Sequence, residues 1–150
     1  MKHSITYEYL SNWNELWVTI LTSSNRPYKE LNRTLSYHLQ KSQQWGSTKR
    51  VIINFSLVTS IVPEEDRAEL RTAVSQSDRF MYLVAIIPPW MLPHAKQSEE
   101  KYHKENLVFK YFTVQQLKEF SNWILNQRGC KGCRKDICLQ CDQSLSIINL

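Results

Sequence analysis

The chain has 150 residues, enough for one domain with a full core, and 42% of them are hydrophobic, an ordinary share for a globular protein. Three glycines leave little for phosphate-cradling loops, no apolar run nears the ~18 residues that a membrane span needs, and residues 1–12, MKHSITYEYLSN, lack the apolar core of a signal peptide, so a cytoplasmic chain is expected. The formal net charge of +5 comes from basic residues scattered from Lys2 to Lys135 rather than from a stripe, so nucleic acid is not the expected partner.

Residues 4–10 alternate, with Ile5, Tyr7 and Tyr9 on one face. Residues 13–21 alternate again: Trp13, Glu15, Trp17, Thr19 and Leu21 share one side, and Leu16, Val18 and Ile20 the other. Ser11 and Asn12 separate the two runs, which predicts a β-hairpin. A polar break over residues 22–25 precedes Pro27, which suits the first turn of a helix, where a missing N–H costs nothing. Tyr28, Leu31, Leu35, His38 and Leu39 recur at helical spacing and form one apolar stripe. His38 flanks that stripe and is expected to hydrogen-bond there, because no catalytic partner stands near it in sequence. Trp45-Gly46-Ser47 ends the element.

Residues 51–55 are apolar at nearly every position, as in a strand buried on both faces. The exit from such a strand is where a mixed α/β domain presents its working surface. A turn leads to Pro63, which opens a second helix. Glu64, Glu65 and Asp66 fall in its first turn and complement the positive end of the helix dipole, a stabilising rather than a catalytic role. Ala68, Leu70, Ala73 and Val74 give it an apolar face, and Ser77 and Asp78 break it. Residues 79–87, RFMYLVAII, form a second buried strand that ends at Pro88-Pro89. Residues 90–103 begin apolar and become polar, a short helix with Pro93 in its first turn. Trp90, Met91 and Leu92 follow directly on the strand exit; they are expected to pack on the sheet, with a pocket mouth as the alternative. Residues 107–112, LVFKYF, form another strand. Thr113 and Gln116 have the spacing of a capping box, Leu117, Phe120 and Ile124 mark the buried face of a last helix, and Gly129 is placed to stop it. This order predicts an α/β fold: a mixed, mostly parallel sheet of about five strands, an N-terminal antiparallel hairpin, and helices packed on it. The two strand exits carry Thr59, Ser60, Glu64, Glu65, Trp90 and Met91, the expected interaction surface.

All four cysteines lie within twelve residues, Cys130-Lys-Gly-Cys133-Arg-Lys-Asp-Ile-Cys138-Leu-Gln-Cys141. In an unexported chain such clustering favours a metal over disulfides. Each CxxC turn aims two sulfurs at one ion, so two turns complete a tetrahedral site, with Zn2+ expected and an iron–sulfur cluster as the alternative. Free thiols or dithiol pairs are the remaining option. Arg128, Lys131, Arg134 and Lys135 surround the cysteines and would favour thiolates.

Three segments carry a resemblance to a known family. VIINFSLVTSI resembles the central strand and turn of STAS-like domains, relatives of bacterial anti-sigma-factor antagonists. RFMYLVAIIPPW resembles a further strand of that family, and LVFKYFTVQQLKEFSNWI its closing strand and helix, with Phe112, Trp123 and Ile124 on matching positions. The resemblance covers residues 4–126 and implies a STAS-like domain over residues 1–127, followed by a cysteine tail over 128–150. The regulatory branch of the family carries a phosphorylated serine after the central strand. Here that segment reads Val62-Pro63-Glu64-Glu65, without a hydroxyl, and Asn54 stands where the strand often has Asp. Three functions follow as expectations. The first is a non-enzymatic regulatory or protein-interaction module with a zinc knuckle, whose partner is another protein. The second is a redox protein using the cysteines, and the third a carrier of a small hydrophobic ligand or lipid. A homo-oligomer is compatible with each.

Overall fold

A computed structural model describes residues 5–21, 28–40, 43–60, 62–76, 80–101 and 106–129. The alternating and continuous apolar runs become five strands: β1 (Ile5–Leu10), β2 (Glu15–Ile20), β3 (Arg50–Asn54), β4 (Met81–Ile87) and β5 (Leu107–Thr113). Four helices accompany them: α1 (Tyr28–His38), α2 (Glu64–Ser75), α3 (Leu92–Lys101) and α4 (Leu117–Arg128). The strands lie side by side in chain order, β1 antiparallel to β2 and the remaining pairs parallel. The predicted class, a mostly parallel sheet with an antiparallel hairpin at one edge, is what the chain adopts.

The strand order decides where the helices go. α1, α2 and α3 each join neighbouring parallel strands and step across the sheet in one direction. Right-handed crossovers then send all three to the same face. That face buries Tyr28, Leu31 and Leu35 of α1, Leu70 and Val74 of α2 and Ala95 of α3 against alternate strand residues such as Leu16, Val51, Ile53 and Leu83. The opposite face is left to α4. Phe120 and Ile124 cover Trp17, Ile52, Val84, Ile86 and Phe112 there. The Phe120 ring stands edge-on to Trp17 at 5.8 Å and to Phe112 at 5.4 Å, a favoured aromatic geometry. With both faces covered, β3 is buried along its whole length, as its apolar run predicts.

Local signals set the boundaries. Pro63 is the N-cap of α2, and its carbonyl accepts the N–H groups of Asp66 and Arg67 at 3.0 and 3.1 Å. The Thr113–Gln116 capping box forms, and it opens a 3-10 turn, Val114–Gln116, that leads into α4. Gly129 closes α4 at φ 69°, in the left-handed region where a side chain is disfavoured. The hairpin differs from its expectation. The turn spans residues 11–14, so Trp13 leaves the strand, and Asn14 takes φ 52°, which Asn tolerates. The apolar start of the third helix is a separate 3-10 turn, Pro89–Met91. Among the described residues no helix is long and apolar enough to cross a membrane.

Candidate functional site

The exits of β3 and β4 lie next to each other because these strands are parallel neighbours. At the first exit Asn54 Oδ1 accepts the Ser56 N–H at 2.9 Å, bending the chain outward. The Phe55 N–H donates to the Ile86 carbonyl at 2.8 Å, which holds the two exits together. Beyond this point Leu57 is 44% exposed and Trp90, at the second exit, 40%. Thr59, Ser60 and Glu65 are also exposed. Met91 turns the other way. It is buried in the core and lines a cavity, so of the expected surface residues it serves packing rather than display.

That cavity, of about 60 Å³, lies between the sheet and the helices α2 and α3. Ile53, Phe55, Leu83, Ala85 and Ile87 form its apolar floor. Its polar lining comes from Arg67, Arg71, His94, Ser98 and Tyr28. Arg71 is 5% exposed, an unusual place for a guanidinium. It donates to Glu64 Oε1 at 2.9 Å and to Ser98 Oγ at 3.2 Å. Arg67 Nη2 pairs with Glu64 Oε2 at 2.6 Å. Glu64 is thus the common counter-ion of two arginines, beyond the helix-dipole role that its position implies. Arg67 Nε and Nη1 are buried and have no protein acceptor. Tyr28 is 1% exposed, its ring stacked on Phe55 at 5.9 Å, and its hydroxyl has no partner either. Burial, and next the charge of Asp66, push the Tyr28 phenol above its ordinary value of 10.0, which keeps it a hydrogen-bond donor.

Comparison with family models, with curated proteins and with solved structures finds no match. The chain's own residues therefore carry the functional argument.

Cys130, Cys133, Cys138 and Cys141 lie outside the described residues, and among those described no group of three His, Cys, Asp or Glu could hold a metal. Arg128, grouped by sequence with the cysteines, is otherwise engaged. Its side chain is wholly buried, and it sits at the amino end of the sheet on Glu15, itself wholly buried. Arg128 Nε donates to Glu15 Oε2 at 3.0 Å, and Nη2 to Oε1. Arg50 Nε donates to Oε2 at 2.9 Å, and the Trp17 indole N–H to Oε1 at 3.0 Å. The Arg128 guanidinium also stands over the Trp13 ring at 5.1 Å, a cation–π contact. Alternation places Glu15 on one face with Trp17, and its counter-ions, Arg50 and Arg128, come from 35 and 113 positions away, beyond the reach of any local pattern. His38 keeps its core-flanking place, its ring 5.0 Å from Trp45, but its buried Nδ1 has no hydrogen-bond partner.

Proposed function

We propose that the chain is an interaction module of STAS-like type that meets another protein through the exits of β3 and β4. One observation carries this: Leu57 and Trp90, both large and apolar, stand exposed on neighbouring exits while Phe55, Val58, Ile87 and Met91 around them are buried. Apolar side chains clustered at a strand exit of an α/β sheet are the usual make-up of a contact surface. The hairpin followed by a parallel sheet agrees with the family resemblance. The segment 62–65 offers no hydroxyl, so the contact is not switched by phosphorylation there. To this module the sequence adds a knuckle in which Cys130, Cys133, Cys138 and Cys141 hold one zinc, a closed structural site.

The test is affinity capture from lysate of the source cell, with the wild-type chain and with Leu57→Ser/Trp90→Ser. The expected result is a defined near-stoichiometric protein retained by wild type and lost from the double variant at unchanged melting temperature. Tyr37→Ser, at a 55% exposed position on α1, serves as control and retains it. Equal retention by the double variant would remove the contact surface from this rim.

A further inference from the structure

Protein interiors leave few voids larger than a water molecule, and the cavity between the sheet, α2 and α3 is several times that size, at about 60 Å³. The residues around it account for the space. Ile53, Leu83 and Ile87 line the floor with long side chains, but Ala85 of β4 and Ala95 and Ser98 of α3 line the same space and are too short to fill it. The wall is apolar almost throughout, although arginines border it. Arg71, one of these, has its guanidinium on Glu64 and Ser98. A void of this kind forfeits the contacts its lining would otherwise make, and nothing in its wall holds water firmly.

We propose that this cavity binds a small, uncharged, apolar molecule, a short hydrocarbon or a dissolved gas of like size. Polarity sets the class. A charged or hydrogen-bonding ligand would give up its water for a wall that offers almost no polar surface, whereas an apolar one gains contact on every side. Volume sets the size. An apolar cavity of about 150 Å³ takes benzene; at the same filling, about 60 Å³ takes roughly two or three carbons, or a single xenon atom. The half-buried residues of the lining, Arg67, His94 and Phe109, mark the approach from solvent. This site does not depend on the protein contact at the rim, and either can fail without the other.

The test follows methyl proton–carbon shifts of the full chain under pressures of xenon, ethane and propane, and with acetamide and benzene in solution. Xenon and propane should move the methyl signals of Ile53, Leu83, Ala85 and Ile87 and leave those of Ile124, on the opposite face of the sheet, in place. Each buried CH₂ is worth about fourfold in affinity, so propane should half-saturate on the order of 10 mM and ethane bind about fourfold more weakly. Acetamide, of similar size but polar, and benzene, too large, should both be silent. Ala85→Val and Ala95→Leu fill the space from opposite walls, and each should abolish the xenon shifts while melting at or above the wild-type temperature. Ala73→Val, at a buried α2 position outside the lining, should keep the shifts. The proposal is overturned by xenon leaving the lining methyls unmoved, by undiminished xenon shifts in both filling variants, or by acetamide or benzene binding as well as propane. Should neither filling variant fold, the wild-type contrast between propane and acetamide decides alone.

Discussion

Replacing Glu15 by Gln tests the network at the amino end of the sheet. The change keeps the volume of a fully buried side chain and removes its charge. It leaves two buried arginines, Arg50 and Arg128, without their shared carboxylate, and turns an amide donor towards one of them. Breaking a buried ion pair from one side costs about 3–5 kcal/mol, because the desolvated partner is left uncompensated. At about 2–4 °C per kcal/mol for a chain of this length, the melting temperature should fall by roughly 10 °C or somewhat more. Urea unfolding followed by tryptophan fluorescence gives the free energy, with Glu8→Gln, an exposed site on β1, expected to stay within about 0.5 kcal/mol of wild type. Two truncations probe the same contact from the other side. A chain ending at Gly129 keeps Arg128 and its cap, and one ending at Gln127 loses both. The longer should melt cooperatively near the wild-type temperature, and the shorter cooperatively but several degrees lower. A loss below about 1 kcal/mol in Glu15→Gln, or equal melting of the two truncations, would refute a stabilising role for the network.

Glu64→Gln should cost about 1–2 kcal/mol, because it removes the counter-ion of Arg67 and of buried Arg71; Glu65→Gln, exposed and limited to the helix dipole, should cost at most about 0.5–1 kcal/mol, and urea unfolding of the pair would expose the reverse order. The raised Tyr28 phenol makes stability pH-dependent in one direction. Below pH ~10 the group is neutral in both states and its contribution is full; above that the unfolded chain ionises first, and stability falls by up to about 1.4 kcal/mol per pH unit until the folded phenol follows. Tyr28→Phe should flatten that alkaline slope, seen in urea midpoints across pH ~9 to ~11, and leave stability at neutral pH equal or slightly higher, since the hydroxyl has no partner. Elemental analysis of protein purified under reducing conditions should give one zinc per chain and no visible absorption, with Cys133→Ser releasing the metal; stoichiometric iron with a brown colour would replace zinc by an iron–sulfur cluster, and metal-free titrating thiols would exclude both.

What the sequence made legible is what depends on near neighbours along the chain. The period-two faces of β2, the continuous run of β3, the Thr113–Gln116 box and the stop at Gly129 are decided within a few residues, and each stands where the pattern put it. Edges differ where the turn is longer than the pattern suggests: it takes four residues rather than two, and Trp13 lies outside the strand. The charged clusters stayed hidden for a different reason. Arg128 and Glu15 are 113 positions apart, and Arg71 and Ser98 are 27 apart, so the fold alone brings them together. A basic residue beside four cysteines gives no sign in the sequence that it also pairs with a buried acid 113 positions away. Glu64, assigned to a helix dipole by position, gains its second role only when α2 turns Arg67 and Arg71 onto the same carboxylate.

The two clusters occupy opposite ends of the sheet, and this separates their functions. Glu15 and Arg50 begin β2 and β3, whereas Phe55 and Ile87 mark the exits beneath the cavity. Five residue steps along a strand at about 3.3 Å each put roughly 17 Å between the two ends. At the amino end, the carboxylate of Glu15 accepts from Arg50, Arg128 and Trp17, and a helix terminus is held against the hairpin turn. At the carboxyl end, Arg67 and Tyr28 keep donors without protein acceptors, and Leu57 and Trp90 stand exposed. The first arrangement fixes a geometry and the second is suited to receive something. Because α4 delivers the chain to the amino end, the residues that follow Gly129 are joined to the fold where it is most firmly held. Loss of metal through Cys133→Ser should therefore leave partner retention at the far rim unchanged. A fall in retention on metal loss would show that the two ends communicate, and the sheet between them would have to be the path.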